Sequence, residues 1–180
     1  HYLVFEGLSA CGEIFVNGKY VGFTTGSHLQ SEFDITAFVT SGENELIVKV
    51  HKWAATSYIE DQDFFRFNGI FRDVYLLSRP KNHIRDIDIT TDKNSINIAI
   101  DKKAEVSLYF ENELLEKKII DKSGSFTVKN PHRWTAETPD LYTLMFECSG
   151  EQITQKVGFR TVEIRDGIIR INGRRIVFKG

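Results

Sequence analysis

Cysteine and proline are scarce in this chain of 180 residues, which contains two cysteines and three prolines. Cys11 and Cys148 are far apart in the sequence, which argues against a disulfide framework and for a reducing compartment. No apolar run is long enough to span a membrane, and no signal-peptide pattern is present. We therefore expect a cytoplasmic protein. Because the chain opens directly on the strand-like residues 2–5, we also expect further residues before His1 in a longer parent protein.

The chain also lacks a dominant charge and the common catalytic motifs. Lys and Arg number 23 against 25 Asp and Glu, and no long run of one sign occurs, so we expect neither a nucleic-acid nor a membrane partner. The five histidines are widely separated and show no metal-ligand spacing. No nucleophile elbow, phosphate-binding loop or dinucleotide fingerprint is present, which excludes those enzyme classes.

The remaining composition predicts an all-β protein with two cores. Apolar residues make up 41% of the chain, and short apolar-polar alternations recur between turn signals. The pairs Asn17-Gly18 and Asn172-Gly173 each predict a hairpin, since both residue types tolerate the positive φ of a type I′ turn. A turn at residues 41–44 precedes a strand at 45–51, in which Leu46, Val48 and Val50 are predicted to face the core.

A polar segment at residues 78–83 contains one of the prolines and predicts a domain boundary near residue 80. Seven strand candidates follow it within about 80 residues, as in an immunoglobulin-like β-sandwich. They are residues 84–90, 95–100, 105–110, 114–119, 125–128, 141–148 and 153–159.

The segment 57–74 contains the densest functional-type cluster, with four carboxylates, two arginines and five aromatic rings. Carboxylates and Arg hydrogen-bond sugar hydroxyls while rings pack on pyranose faces, so this mixture suits a sugar site. Composition alone favours a simpler interpretation, in which Arg66 and Arg72 pin the loop to its own acids and the Phe residues fill the core. Asp61 and Asp63 could also form a glycosidase-like pair, although such spacing is common in strands.

Segment 130–142 combines two prolines with Trp134 and Tyr142. A rigid connection between strands with aromatic packing explains this composition without any ligand.

Several motifs together resemble one known family. They are G-E-N at 42–44, S-E-F-D at 31–34, E-D-Q-D at 60–63 with G-I-F-R-D-V at 69–74, P-H-R-W at 131–134 with P-D-L-Y at 139–142, G-F-R at 158–160, and N-G at 172–173 with the terminal K-G. The order and spacing of these motifs resemble those of β-galactosidases of glycoside hydrolase family 2. The resemblance covers essentially the whole chain. Phe65 departs from the family pattern, because these enzymes usually have Trp at that position. The pair Phe67-Asn68 also departs from the family pattern.

The resemblance implies a division into three parts. Residues 1–79 would be the later part of a jelly-roll (galactose-binding-like) sugar-binding domain that lacks its opening strands. Residues 80–160 would be the immunoglobulin-like sandwich, and residues 161–180 a hairpin leading into a TIM barrel that this chain does not contain.

The same resemblance implies which residues meet the sugar. In such enzymes both catalytic glutamates lie on the barrel, so we expect no catalytic residue here and no activity of the chain alone. Asp63 would bind substrate and help to hold a sodium ion, but only together with the missing barrel. Glu60, Asp61, Arg66 and Arg72 would support its loop.

We therefore expect a non-catalytic fragment of a retaining glycosidase that hydrolyses terminal β-D-galactosides. The alternatives are a free-standing carbohydrate-binding module and a fragment of a sibling β-glucuronidase or β-mannosidase. We expect no cofactor in the fragment, and sodium and magnesium in the parent. The parent should form a homo-oligomer, and the fragment should self-associate through exposed sheet edges.

Overall fold

The computed structural model describes residues 1–60, 63 and 65–178. It divides into two compact units, His1–Arg79 and Pro80–Gly180. Strands dominate both units, and the one helix of the described residues has only four residues. The predicted all-β class is therefore confirmed. No helix in the described part of the chain is long and apolar enough to cross a membrane.

The first unit is a small β-sandwich. Its elements are β1 (Tyr2–Phe5), β2 (Leu8–Ser9), β3 (Cys11–Val16), β4 (Lys19–Thr24), β5 (Ser31–Asp34), β6 (Leu46–His51), α1 (Ser57–Glu60), β7 (Gly69–Ile70) and β8 (Val74–Leu77). Two three-stranded antiparallel sheets have the orders β5-β1-β8 and β4-β3-β6, and β2 pairs with β7. Leu3 and Phe5 of β1 share a buried cluster with Ile14 and Val16 of β3, so both larger sheets contribute to one core.

The predicted hairpin at Asn17-Gly18 joins β3 and β4. Asn17 has φ 50° and Gly18 has φ 73°, so both residues adopt the left-handed conformation that a type I′ turn requires. The prediction from this residue pair is confirmed.

The predicted core face of β6 is only partly correct. Val48 and Val50 pack against the buried cluster, whereas Leu46 is 45% exposed. Leu46 lines an open cavity of about 310 Å³ together with Leu3 and Leu76. Alternation placed Leu46 on the inner face, but the core is uncovered at that end of the strand.

The second unit contains the remaining strands. They are β9 (Ile87–Thr91), β10 (Ser95–Ile100), β11 (Ala104–Phe110), β12 (Glu113–Ile120), β13 (Ser123–Thr127), β14 (Tyr142–Cys148), β15 (Glu151–Val157), β16 (Val162–Arg165), β17 (Ile168–Ile171) and β18 (Arg174–Arg175). A three-stranded sheet β13-β10-β9 and a four-stranded sheet β12-β11-β14-β15 form the sandwich. All seven strands predicted here are present, with ends displaced by up to three residues.

The sandwich core follows the alternation of the strands. Ile96, Ile98 and Ile100 of β10 are buried while the residues between them are exposed. They belong to one buried cluster with inward residues of the four-stranded sheet, including Leu144 and Phe146. Period-two burial of this kind specifies the register, because a one-residue slip would expose the whole apolar set.

The connection at residues 130–141 packs into this sandwich through aromatic rings. Phe110 stacks on His132 with 4.6 Å between ring centroids and also contacts the Tyr142 ring. The Tyr142 hydroxyl accepts a hydrogen bond of 3.0 Å from the His132 backbone N–H. These contacts confirm the predicted aromatic packing of the connection.

Trp134 links the end of the sandwich to the last strands. The Arg160 guanidinium lies 4.7 Å from the centre of the Trp134 ring, and a Cβ on Gly158 would lie only 2.8 Å from the Trp134 Cβ. A separate antiparallel sheet consists of β16, β17 and β18. The turn between β17 and β18 is formed by Asn172 and Gly173, and both residues have positive φ. The Asn172 side chain donates to the Trp134 carbonyl at 3.0 Å.

Candidate functional site

The candidate site begins at α1, where Glu60 is held by a distant loop. The turn of α1 is closed by hydrogen bonds from the amides of Ile59 and Glu60 to the Thr56 carbonyl, each 2.9 Å. The Glu60 carboxylate accepts two hydrogen bonds from Ser27, from its hydroxyl at 2.6 Å and from its backbone N–H at 3.3 Å. Ser27 is only 3% exposed. Glu60 therefore joins two segments that are 33 residues apart.

Arg66 holds the segment that follows. Its Nη2 donates to the Ser57 carbonyl at 3.1 Å, and its guanidinium lies 4.5 Å from the centre of the Trp53 ring. A cation–π contact at such a half-exposed ring contributes about 0.5–1 kcal/mol. Arg66 thus connects the chain after Asp63 to the start of α1.

Residues 69–73 are fixed by main-chain hydrogen bonds to residues 6–9. Gly69 pairs with Ser9, the Phe71 N–H donates to the Gly7 carbonyl at 3.2 Å, and the Glu6 N–H donates to the Asp73 carbonyl at 3.0 Å. A Cβ on Gly7 would lie 2.9 Å from side-chain atoms of both Phe71 and Arg72. The two segments approach this closely because residue 7 has no side chain.

Arg72 ties the same segment to two loops. Its Nη1 donates to the His28 carbonyl at 3.0 Å and to the Glu6 carbonyl at 3.3 Å. The Phe71 ring stacks on Phe67 at 4.9 Å and contacts the His28 ring at 5.5 Å. The interpretation in which the Phe residues fill the core does not fit the described rings, since Phe65 is 85% exposed and Phe67 is 46% exposed.

Asp63 is exposed and lies between these two anchored regions. Asp61 lies outside the described residues, so its predicted supporting role has no structural description. Glu60, Arg66 and Arg72 each bond to a neighbouring segment in the positions described above. The structure thus presents Asp63 on the surface, with contacts on both sides that hold its flanks.

The space beside this segment is small. A cavity of about 30 Å³ is lined by residues that include Ser27, Glu60, Arg66 and Phe67. Sites for small organic ligands are usually several hundred Å³, whereas this volume suits about one water molecule. The described residues around this cavity therefore do not enclose a ligand of sugar size.

The described residues also do not form a complete metal site. Within them, no group of three or more His, Cys, Asp or Glu residues is arranged to hold an ion. Sodium and magnesium prefer several oxygen ligands, and Asp63 contributes one carboxylate. Either ion would need ligands beyond the described residues.

The sequence contains two Asn-Glu pairs, Asn44-Glu45 and Asn112-Glu113, and both lie at turns. The Asn44 amide bonds to the carbonyls of Thr40 and Gly42 and accepts from the Thr40 N–H and the Asn17 side chain. Asn112 has φ 70° in the turn between β11 and β12. Both asparagines therefore act in turns that precede a strand.

The sequence does not point to Ser27, His28 or Trp53 as partners of this segment. Ser27 and His28 belong to the connection between β4 and β5, and the only nearby signal is the S-E-F-D motif that follows at residues 31–34. Trp53 belongs to none of the motifs described above, so the sequence does not mark it as a partner of this segment. Their roles come from contacts between residues distant along the chain.

Two family models match the chain. The sugar-binding domain of glycosyl hydrolases family 2 matches residues 1–80, and a second model of glycosyl hydrolases family 2 matches residues 76–160. Together they cover residues 1–160.

Similar proteins were found by sequence and by structure. A β-galactosidase of Actinobacillus pleuropneumoniae is 40% identical over 192 residues, and one of Staphylococcus xylosus is 40% identical over 193 residues; each match covers the whole chain. The chain spans only 19% of the length of each of these relatives. A solved β-glucuronidase of an uncultured Clostridium species superposes on 99% of the chain with a TM-score of 0.83 and 28% identity, and the match covers 35% of that structure.

Proposed function

Since the chain belongs to glycoside hydrolase family 2, we propose that it is the non-catalytic part of a β-galactosidase and supplies one face of the sugar site. The single observation that carries this proposal is the position of Asp63. Asp63 is exposed, and Glu60 before it and Arg72 after it are anchored by hydrogen bonds to Ser27 and His28. The identity of 40% to β-galactosidases along the whole chain supports the galactoside as substrate.

We propose that residues 1–79 form the sugar-facing domain, residues 80–160 the scaffold sandwich, and residues 161–180 the lead into a barrel that carries two catalytic glutamates. In a retaining mechanism one glutamate is the nucleophile and the other the acid/base. Asp63 then binds the sugar and contributes one ligand to a sodium ion, with the other ligands outside this chain. Magnesium belongs to the parent enzyme in the same proposal.

The proposed parent acts in the cytoplasm as a homo-oligomer. Both cysteines of the chain are free thiols, as a reducing compartment favours.

The experiment uses the longer protein that carries this chain and compares chromogenic β-galactoside with β-glucuronide. We expect the galactoside to be hydrolysed with the higher kcat/KM. We also expect Asp63→Asn to raise KM for that substrate by about tenfold, because a charged hydrogen-bonding group is lost from the sugar site. Asp88→Asn, an exposed position on β9, is the matched control and should leave KM unchanged.

Hydrolysis of the glucuronide alone would overturn the galactoside assignment. It would favour a β-glucuronidase parent, which is the second candidate because a solved β-glucuronidase shares 28% identity and the fold of the whole chain.

A free-standing carbohydrate-binding module makes a different prediction for the 180-residue chain. We expect calorimetric titration with galactose, with and without sodium, to show binding weaker than about 1 mM. Asp63 is exposed, and the cavity lined by Glu60 and Arg66, of about 30 Å³, is too small to enclose a sugar. Saturation at lower galactose concentrations would favour the binding module.

A further inference from the structure

Residues 60–72 are called the Asp63 segment below. The connection between β4 and β5, residues 25–30, bonds to this segment both before and after Asp63. Glu60, three residues before Asp63, accepts two hydrogen bonds from Ser27. Arg72, nine residues after Asp63, donates to the carbonyl of His28, the next residue of the connection. Two adjacent residues of one loop therefore hold the start and the end of the segment.

The bond from Ser27 is the stronger candidate for a positioning contact. Its hydroxyl donates to the Glu60 carboxylate at 2.6 Å, and hydrogen bonds to ionised acceptors are roughly twice as strong as neutral ones. Ser27 is 3% exposed, so water competes poorly for this hydroxyl. The hydrogen bonds of Arg72 to the His28 and Glu6 carbonyls, by contrast, are exposed, so water competes with them.

We propose that Ser27 is a positioning residue for sugar binding: its hydroxyl fixes Glu60, and Glu60 fixes the beginning of the segment that presents Asp63. This inference rests on the proposed function, because Ser27 aids sugar binding only if Asp63 contacts the sugar. In this proposal the buried Ser27 hydroxyl acts through Glu60 and not directly on the sugar. Its loss weakens binding by letting the Asp63 segment move away from the binding geometry.

The first measurement is hydrogen exchange on the 180-residue chain, and it is independent of the parent's substrate. We expect Ser27→Ala to raise exchange about tenfold in residues 57–60 and 65–72, and Ser27→Thr to restore the wild-type rates because it keeps a hydroxyl. Ser31→Ala is the matched control, since the Ser31 hydroxyl bonds to Thr24 and not to Glu60. Unchanged exchange in Ser27→Ala would overturn the proposal.

Glu60→Gln provides a second variant in case Ser27→Ala does not fold. It keeps an acceptor of similar size but removes the charge, so we expect a smaller increase of about threefold in the same residues. Wild-type exchange in this variant would also overturn the proposal.

The second measurement is kinetic and uses the longer protein with whichever sugar it hydrolyses. We expect Ser27→Ala to raise KM about tenfold while kcat changes by less than about twofold, and Ser27→Thr to recover the wild-type KM. A faster exchange with an unchanged KM would show a merely structural role and overturn the positioning role. If the longer protein does not act on galactosides, the galactosidase proposal fails, while the exchange data and KM for its true substrate still decide the role of Ser27.

Discussion

At the residue scale, single polar side chains hold the loops of this protein where no regular pairing exists. Glu60 bonds to Ser27, Arg72 bonds to two carbonyl oxygens, and Asn172 bonds to the Trp134 carbonyl. Each of these contacts connects segments more than thirty residues apart. Each side chain satisfies backbone or hydroxyl groups that would otherwise need water. Substitution at such positions therefore affects the arrangement of loops more than the filling of the core.

Asn44 offers a direct test at this scale. Asn44→Ala removes hydrogen bonds to the Thr40 backbone, the Gly42 carbonyl and the Asn17 side chain. Since these bonds are exposed, we expect the free energy of unfolding to fall by about 1–2 kcal/mol in a urea titration followed by circular dichroism. Asn44→Asp keeps the acceptor oxygen and should lose about half as much. Equal stability of wild type and Asn44→Ala would contradict this role.

At the scale of elements, a turn residue of the second unit holds the end of a strand through hydrogen bonds to backbone groups. Asp101 follows β10, and its carboxylate accepts hydrogen bonds from the Arg85 N–H at 2.9 Å and the Asp86 N–H at 3.4 Å. These bonds attach the entry of the sandwich to the end of a core strand.

The pKa of Asp101 gives this contact a pH dependence. Desolvation raises the pKa, but the hydrogen bonds from Arg85 and Asp86 and the charge of Lys102 outweigh it, so the pKa lies below the ordinary value of 3.8. A depressed carboxyl pKa adds stability above the unfolded-state pKa and loses it as the pH falls through the folded-state value.

We therefore expect Asp101→Asn to lower the melting temperature at about pH 7 and to lower it less at about pH 2, because the stabilisation is lost as the pH falls through the depressed folded-state pKa. Thermal unfolding at both pH values measures the difference. Asp121→Asn serves as a control for the loss of one negative charge in the same unit. An equal loss at both pH values would contradict the electrostatic origin of the effect.

At the scale of the whole molecule, the first unit has a core that is open on one side. Leu76 of β8 lies opposite Leu3 of β1, and both line the open cavity of about 310 Å³. Leu3 is 5% exposed and Leu76 is 60% exposed, although they face the same side of the sheet. β8 is also the terminal strand of its sheet. Exposed apolar edge strands favour pairing with another chain.

We propose that the isolated chain self-associates through this edge. Sedimentation velocity at increasing concentration should show dimers of the wild-type chain. Leu76→Lys should remain monomeric, since a lysine on an edge strand opposes the pairing of chains. Leu29→Lys, in a loop residue that is 71% exposed, is the matched control and should still dimerise. Dimers of Leu76→Lys would contradict an interface at β8.

The local features of this protein were determined by the sequence itself. The Asn-Gly turns, the seven strands of the sandwich and the aromatic connection were all predictable, because φ preferences and period-two alternation act between neighbouring residues. The order of motifs such as E-D-Q-D also identified the family and the segment around Asp63.

Only the tertiary structure decided which distant residues meet. The contact of Ser27 with Glu60, the contact of Arg66 with Trp53 and the exposure of Leu46 have no local signal, because each depends on which strands pair and on where the sandwich remains uncovered. Hydrogen bonding and burial are properties of the folded neighbourhood. A residue type such as serine fits so many neighbourhoods that its sequence position alone cannot assign its partner.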